Sequence, residues 1–313
     1  MQRFTTLQIP ESARGATVAI GNFDGVHLGH QKVLEFTKGQ AGGAPFGVMT
    51  FEPHPRSYFA DLAGKDMPPF RLMSAEARAN RLEKLNLDVV FEMPFDTALS
   101  QRTPRDFCQQ VIVDALGLKH VIVGQDFCFG RARSGNVESL STLGAELGFG
   151  VTVVPLQTFG DRTISSTNIR KALAQGDPRA AAKMLGHWHR IDGPVVHGEK
   201  RGRELGYPTA NMSIDGLHPP AFGVYVVTVD VLTGPHVGTY GGAASIGVRP
   251  MFGENRPNCE TFVFDFTGDL YGETLSVGLV DYLRGEEKFY SLDALITQMN
   301  ADCAKARDIL GAL

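Results

Sequence analysis

The stretch AIGNFDGVHLGH, residues 19–30, decides the fold of the first half of the chain. It begins with apolar residues, contains flexible glycines at Gly21 and Gly25, and ends where residues of helical spacing begin. A buried strand, a glycine loop and a helix start form a cradle for an anion, because glycine lets the backbone approach and the first helical turn offers unpaired N–H groups. His27 and His30 would lie beside a phosphate held there. The alternative is that both histidines only cap the helix or pack locally.

Outward from this stretch, short apolar runs alternate with segments of helical period as far as about residue 160. The runs cover residues 16–21, 46–51, 88–91, 120–124 and 151–154. This repetition predicts an α/β fold with a Rossmann-like parallel sheet, whose ligands bind at the carboxyl ends of the strands.

The pattern of the chain changes after two short predicted helices between Ser166 and Leu185. We therefore predict two domains, residues 1–186 and 187–313. In the second, alternating runs such as 224–231, 261–266 and 275–283 predict a small antiparallel β-barrel. The final segment, 291–310, has mostly helical spacing and predicts a helix that closes the barrel, with Ser291 as its N-cap.

The bulk composition favours small-molecule partners. The 313 residues are enough for two domains, and the net charge of -4 lacks the positive excess that non-specific nucleic-acid binding uses. The four cysteines have no metal-ligand spacing and are expected to be reduced. The chain has neither a signal peptide pattern nor an apolar run of membrane-spanning length. We expect a cytoplasmic protein with no membrane or nucleic-acid partner, and its oligomeric state is left open.

A second polar segment, ISSTNIR at residues 164–170, places hydroxyl groups at a predicted helix start, with Arg170 about one turn further on. Hydroxyls and backbone N–H groups can bind phosphate oxygens, and a guanidinium can span two of them. Helix capping alone would also explain the serines and the threonine.

A third segment, GEKRGRELGYPTAN at residues 198–211, combines glycines with two oxygen-bearing side chains. Thr209 and Asn211 are two residues apart, so on an extended segment they lie on the same side and can offer oxygen ligands to a hard cation such as Mg²⁺. Taken alone, PTAN is also an ordinary turn composition.

Together these motifs resemble known families. HxGH followed by ISSTxxR resembles the nucleotidyltransferases that transfer AMP or CMP from a nucleoside triphosphate. With TFEPHP at 50–55 and GQDFCFG at 124–130, the chain resembles bacterial bifunctional riboflavin kinase/FAD synthetase over nearly its whole length. The PTAN segment closely resembles the riboflavin kinase motif, and GVRPMFG at 247–253 resembles the segment preceding that family's catalytic carboxylate.

The resemblance implies roles for individual residues. Catalytic roles fall on His27, His30, Arg170 and Glu260, the last as general base of the kinase. ATP contacts fall on Gly21, Asn22, Phe23, Asp24, His27, His30, Ser165, Thr167, Arg170, Gly202, Thr209 and Asn211. Flavin contacts fall on His54, Asp126, Phe127, Phe129 and Arg284. Magnesium would bind to Thr209 and Asn211. Without the resemblance, Glu260 could not be preferred over Glu254, Asp265 or Asp269.

The implied chemistry is phosphorylation of riboflavin to FMN and adenylylation of FMN to FAD, with ATP and Mg²⁺ in both steps. Three other interpretations stay open. One half could be regulatory or a remnant, the first domain could act on another phosphorylated substrate, or the barrel could bind RNA or flavin without catalysis. Product formation from riboflavin and ATP would distinguish a catalyst from a sensor.

Overall fold

A computed structural model describes residues 1–155, 158–159, 162–197, 207–251 and 254–313. The chain forms two compact units. The first comprises Met1–Met67 and Arg78–Ile164, and the second comprises Pro68–Ala77 and Ser165–Leu313. Neither unit is therefore a single uninterrupted stretch of sequence.

The first unit is built on a six-stranded parallel sheet, which confirms the predicted Rossmann-like fold. Its strands are Gln2–Phe4 (β1), Thr17–Ile20 (β2), Phe46–Glu52 (β3), Val89–Pro94 (β4), His120–Gly124 (β5) and Gly150–Val154 (β6). The strand order is β1-β4-β3-β2-β5-β6. The apolar runs predict β2 to β6, because strands covered by helices on both faces are apolar throughout. A short pair, Thr158–Phe159 (β7) and Arg162–Thr163 (β8), follows the sheet.

Helices connect the strands of this sheet. They are Leu28–Gln40 (α1), Pro55–Leu62 (α2), Ala75–Glu83 (α3), Thr97–Ser100 (α4), Pro104–Asp106 (α5) and Val137–Leu147 (α6). A π-helix, Phe107–Ala115, continues α5 and buries Phe107, Cys108, Val111 and Ile112 against the sheet. The loop between β2 and α1 leaves the sheet at the carboxyl end of a central strand, which is where ligands of open α/β sheets bind.

The second unit contains the predicted antiparallel sheet, which curls so that its edge strands approach each other. Its strands are His189–Pro194 (β9), Thr209–Ser213 (β10), Gly223–Val231 (β11), Gly238–Met251 (β12), Glu254–Val263 (β13) and Thr274–Arg284 (β14), in the order β10-β13-β12-β11-β14-β9. A single bridge between Val196 and Asn211 joins the two edges. The predicted strand 261–266 is shifted, because Asp265 has a φ of +55° and β13 ends at Val263.

In the described part of this unit after Ile164, three helices accompany the sheet. Ser166–Ala174 (α7) and Pro178–Leu185 (α8) are the two helices predicted from the sequence, and α8 buries Ala181, Met184 and Leu185. The predicted closing helix is Leu292–Gly311 (α9), and Ser291 caps it by accepting a hydrogen bond from the N–H of Ala294. Successive side chains along each strand point to opposite faces of the sheet. One face forms the barrel core, and the other is partly covered by α9.

Candidate active sites

The loop after β2 has a strained backbone. Phe23, Gly25 and Val26 have φ values of +51°, +91° and +43°, in the left-handed region. This conformation is unfavourable for bulky and β-branched side chains, and it persists where the surrounding structure imposes it. Phe23 and Val26 are fully buried, so their packing holds the loop in this shape.

The loop brings His27 and His30 together. Their rings stack with centroids 3.7 Å apart and an interplanar angle of 13°, and the ring of Phe23 lies 5.0 Å from that of His30. His27 is the N-cap of α1, because its Nδ1 accepts a hydrogen bond from the N–H of His30 at 3.3 Å. A Cβ at Gly29 would lie only 3.1 Å from the His27 ring, which explains the glycine between the histidines. Capping and stacking therefore occur together here.

The hydrogen bond at His27 indicates which nitrogen of a neutral ring is protonated. Since Nδ1 of His27 is an acceptor, a neutral ring carries its proton on Nε2. Burial, and to a lesser extent His27, lower the pKa of His30 well below its ordinary value of 6.5. The Nδ1 atom of His30 is buried and has no hydrogen-bond partner within the residues that the structure describes. At neutral pH, His30 therefore acts as an uncharged hydrogen-bonding ring.

A buried arginine, which the sequence did not indicate, contacts the loop between β2 and α1. Arg78, with 1 % of its surface exposed, pairs with Glu92 at 2.7 Å and with Glu52 at 3.2 Å, and it donates to the carbonyl of Asn22 at 3.4 Å. Arg3 also binds Glu92 at 2.8 Å. Burial alone would raise the pKa of Glu92, but hydrogen bonds from the two arginines outweigh it and lower the pKa.

The ISSTNIR segment lies at the start of α7 in the second unit. Ser165 is the N-cap, and its hydroxyl accepts a hydrogen bond from the N–H of Asn168 at 3.2 Å. Thr167 is exposed on the first turn. Arg170 donates from Nε to the carbonyl of Phe70 and lies over that ring at 5.3 Å. Ser165 thus serves as a helix cap, and Phe70 holds the guanidinium of Arg170 near the start of the same helix.

The residues expected near the flavin in the first unit differ in exposure. His54 caps α2, with Nδ1 accepting from the N–H of Arg56 at 3.0 Å. Asp126 is exposed and Phe127 is half-buried, whereas Phe129 is buried in the core. The two phenylalanine rings stack at 5.6 Å with an interplanar angle of 13°. Asp126 and Phe127 are thus the more accessible members of this group.

In the second unit, the sheet register brings the kinase candidates together. Asn211 of β10 lies directly opposite Glu260 of β13. The amide of Asn211 is 3.4 Å from Oγ1 of Thr209, and Asn258 donates to Oε1 of Glu260 at 3.2 Å. Residues 259 and 261 point into the barrel core, so all four of these polar side chains lie on the opposite face. A motif and a carboxylate that are distant in sequence thus become neighbours.

The oxygens of this cluster fit a magnesium ion. Mg²⁺ is usually held by one or two protein oxygens together with substrate phosphates, and Thr209 and Asn211 offer a hydroxyl and an amide carbonyl side by side. The amide nitrogen and oxygen exchange places on rotation, so Oδ1 can face the same side as Oγ1. No group of three or more His, Cys, Asp or Glu in the described part of the chain could hold a metal by itself. Gly202 lies outside the described residues.

Arg284, the remaining flavin candidate, makes a bidentate ion pair with Asp302 of α9, at 3.0 Å from Nε and 2.8 Å from Nη2. It thereby ties the end of β14 to the closing helix. Two residues further on, the carboxylate of Glu286 lies so close to Gly247 of β12 that a Cβ there would collide with it. Gly247 in turn pairs with Asn258.

Comparisons with known proteins match both halves of the chain. The FAD synthetase family model matches residues 9–168, and the riboflavin kinase family model matches residues 185–310. The bifunctional riboflavin kinase/FMN adenylyltransferase of Pseudomonas fluorescens is 39 % identical over 297 residues, covering 94 % of this chain and 93 % of the relative. The Bacillus subtilis (strain 168) protein of the same name is 35 % identical over 306 residues, covering 95 % and 93 %.

A solved structure is similar over the whole length. The crystal structure described as a macrolide-efflux protein from Streptococcus pneumoniae has a TM-score of 0.79 and 31 % sequence identity, and the match covers 96 % of this chain and 97 % of that one. Among the helices described for the present chain, none is both long and apolar enough to cross a membrane.

Proposed function

Because the chain belongs to the bifunctional riboflavin kinase/FMN adenylyltransferase family, we propose that it converts riboflavin to FMN and FMN to FAD, with ATP as the donor in both steps. The observation that carries this proposal is the match of both family models to one chain, each over a segment that contains its polar motif. The residue roles below rest on the motifs and on the geometry within each unit.

For adenylylation, the FMN phosphate attacks the α-phosphorus of ATP in line, and pyrophosphate leaves. The nucleophile is already an anion, so the reaction requires positioning and charge stabilisation rather than a general base. We assign the rings of His27 and His30 to hydrogen bonding with phosphate oxygens, His30 in its uncharged form. Positive charge comes from Arg170, and the hydroxyls of Ser165 and Thr167 bind further oxygens.

Two groups of residues complete this assignment. Asn22 and Asp24 would contact ATP from the loop between β2 and α1, together with Gly21 and Phe23. Flavin contacts are assigned to His54, Asp126, Phe127, Phe129 and, in the kinase, Arg284.

For phosphorylation, the primary alcohol of riboflavin attacks the γ-phosphorus of ATP and must lose a proton. Glu260 is the proposed general base, and the hydrogen bond from Asn258 to Oε1 orients it. Thr209 and Asn211 would hold Mg²⁺, which when bound neutralises charge on the transferring phosphoryl group. Gly202 would approach the nucleotide from the glycine-containing segment before β10.

We further propose that the functional division lies near residue 187, close to the start of the segment 185–310 that the riboflavin kinase model matches and after the end of the FAD synthetase match at residue 168. The helices α7 and α8 pack within the second compact unit, although α7 begins in the segment that the FAD synthetase model matches. A cytoplasmic enzyme that acts on small molecules and not on nucleic acid agrees with the composition and charge.

The direct test is chromatography of products from the purified chain with riboflavin, ATP and Mg²⁺, beside a parallel sample given FMN. FMN followed by FAD is the expected result. Conversion of only one substrate would make the silent half regulatory or a remnant. No conversion in either sample would contradict the proposal and favour a flavin sensor or another substrate.

A further inference from the structure

The loop Leu217–Ala221, which follows β10, contacts helix α7 at two places. Nε2 of His218 lies 3.0 Å from the carbonyl oxygen of Arg170, and the N–H of Ala221 donates to the carbonyl of Leu173 at 2.9 Å. The carbonyl of Leu173 lies in the last turn of α7 and also accepts from the N–H of Gly176 at 3.1 Å. The loop belongs to the segment that the riboflavin kinase model matches, whereas α7 carries the ISSTNIR motif.

The same loop also holds the strap, the segment Pro68–Ala77 of the second unit. The N–H of His218 donates to the carbonyl of Arg71 at 2.7 Å, and Arg71 forms a bridge with Leu217. The neighbouring strap residue is Phe70, whose carbonyl accepts from Nε of Arg170. His218 therefore binds both α7 and the strap that holds the side chain of the arginine.

These contacts fix both the backbone and the side chain of Arg170. The imidazole of His218 sets the position of its backbone, while the carbonyl and ring of Phe70 set the plane of its guanidinium. A guanidinium can span two phosphate oxygens only when its plane is correctly oriented, so small displacements reduce the rate. The loop from the kinase segment thus controls a group assigned to the other reaction.

We propose that His218 is a positioning residue for FMN adenylylation and acts through Arg170. The proposal rests on the adenylylation role assigned to Arg170 under the proposed function. His218 contacts neither nucleotide nor flavin in this assignment, so riboflavin phosphorylation does not require its imidazole.

The test uses the full-length chain and measures both reactions separately. For His218→Phe we expect kcat for FMN adenylylation to fall about tenfold, the loss that corresponds to one hydrogen bond, with riboflavin phosphorylation within about twofold of the parent. His218→Gln retains an N–H donor of similar reach and should restore most of the rate. His236→Phe, at the turn between β11 and β12, is the matched histidine control and should leave adenylylation unchanged.

A double-mutant cycle with Arg170→Ala distinguishes positioning from a general structural effect. If His218 acts through the arginine side chain, His218→Phe should cost little once that side chain is absent. An undiminished tenfold loss in the Arg170→Ala background would overturn the proposal. So would a parent-like rate for His218→Phe. If the phenylalanine variant does not fold, His218→Ala replaces it in the same cycle.

The arginine variant also tests the underlying assignment. A parent-like adenylylation rate for Arg170→Ala would remove the proposed role of Arg170 and the inference with it. A slow Arg170→Ala enzyme combined with a normal His218→Phe enzyme would overturn only the inference.

Discussion

Asn211 and Glu260 face each other across the pairing of β10 with β13, on the side of the sheet opposite the barrel core. Directly opposed residues in an antiparallel pair have Cβ atoms about 5 Å apart. The proposed cation ligand and the proposed proton acceptor are thereby held in fixed relation by backbone hydrogen bonds rather than by a loop.

The first prediction concerns this carboxylate. Glu260→Gln keeps the shape and the contact with Asn258 but removes the base, so riboflavin phosphorylation should fall by about 10² to 10⁴. Adenylylation of supplied FMN should persist. Asp265→Asn is the control, because Asp265 is exposed and paired with Arg307. If the Asp265 variant lost the kinase reaction instead, the assignment of the base would be wrong.

The second prediction concerns Gly247. An alanine Cβ at this position would collide with the carboxylate of Glu286, the end of an exposed side chain, so that carboxylate must swing away from the sheet. Since that carboxylate lies beside the strand pair that carries Asn258, we expect Gly247→Ala to raise the KM for riboflavin modestly, with little effect on FMN adenylylation. Gly272→Ala is a less suitable control, because its φ is +80°. Gly39→Ala, in open space on α1, is preferable.

The third prediction concerns His30. Replacing one preorganised hydrogen-bonding group at a transferring phosphate typically costs about 10² to 10³ in rate. His30→Ala should therefore abolish most FAD formation from FMN while riboflavin phosphorylation continues in the same sample. Loss of both reactions in a folded protein would contradict the assignment of separate catalytic groups.

The fourth prediction concerns the buried ion pairs of Arg78, the arginine that contacts the loop between β2 and α1. Arg78→Met leaves Glu92 buried with one arginine fewer, and breaking a buried pair costs about 3–5 kcal/mol of unfolding free energy. Urea unfolding would measure this change. Arg105→Ala removes an exposed arginine paired with Glu146, and should cost at most about 1 kcal/mol. Equal effects of the two substitutions would exclude a supporting role for the buried network.

The fifth prediction concerns pH. Burial, with smaller contributions from His187 and His218, lowers the pKa of His189 to about 3. The unfolded chain, with a pKa near 6.5, binds a proton that the folded chain does not, so stability is fully present above pH 6.5 and is lost as pH falls toward 3.

Replacement of this histidine should remove that part of the acid sensitivity. Between about pH 7.5 and 5, His189→Gln should lose about 2 kcal/mol less unfolding free energy than the parent in urea titrations. Parallel curves for the two proteins would show that His189 does not carry the effect.

The strands of the first unit could be predicted because burial on both faces leaves an apolar run in the sequence, as in residues 46–51. Strand β1 could not, since its three residues are partly exposed. Strand β12 was also not predicted, because its several glycines are more typical of loops than of strands. At Gly242 the glycine is needed for another reason, since a Cβ would lie 2.7 Å from the carbonyl oxygen of Phe262.

Some residues of the candidate sites could likewise be predicted from the sequence, and others could not. The HxGH pair could be predicted because both histidines lie in one short segment. Arg78 could not, because it lies in the charged sequence EARANR, which is typical of a solvated helix face, and only the folded chain buries it between Glu52 and Glu92. Glu260 was chosen from the family resemblance. The register now gives a physical reason, because it places Glu260 and not Asp265 opposite Asn211.

The strap, residues 68–77, affects how the two compact units are connected along the chain. Residues 68–77 belong to the second compact unit, yet the chain on both sides of them belongs to the first. One break in the backbone therefore cannot separate these two compact units from each other. The compact units therefore do not coincide with a simple division of the sequence into a first and a second half.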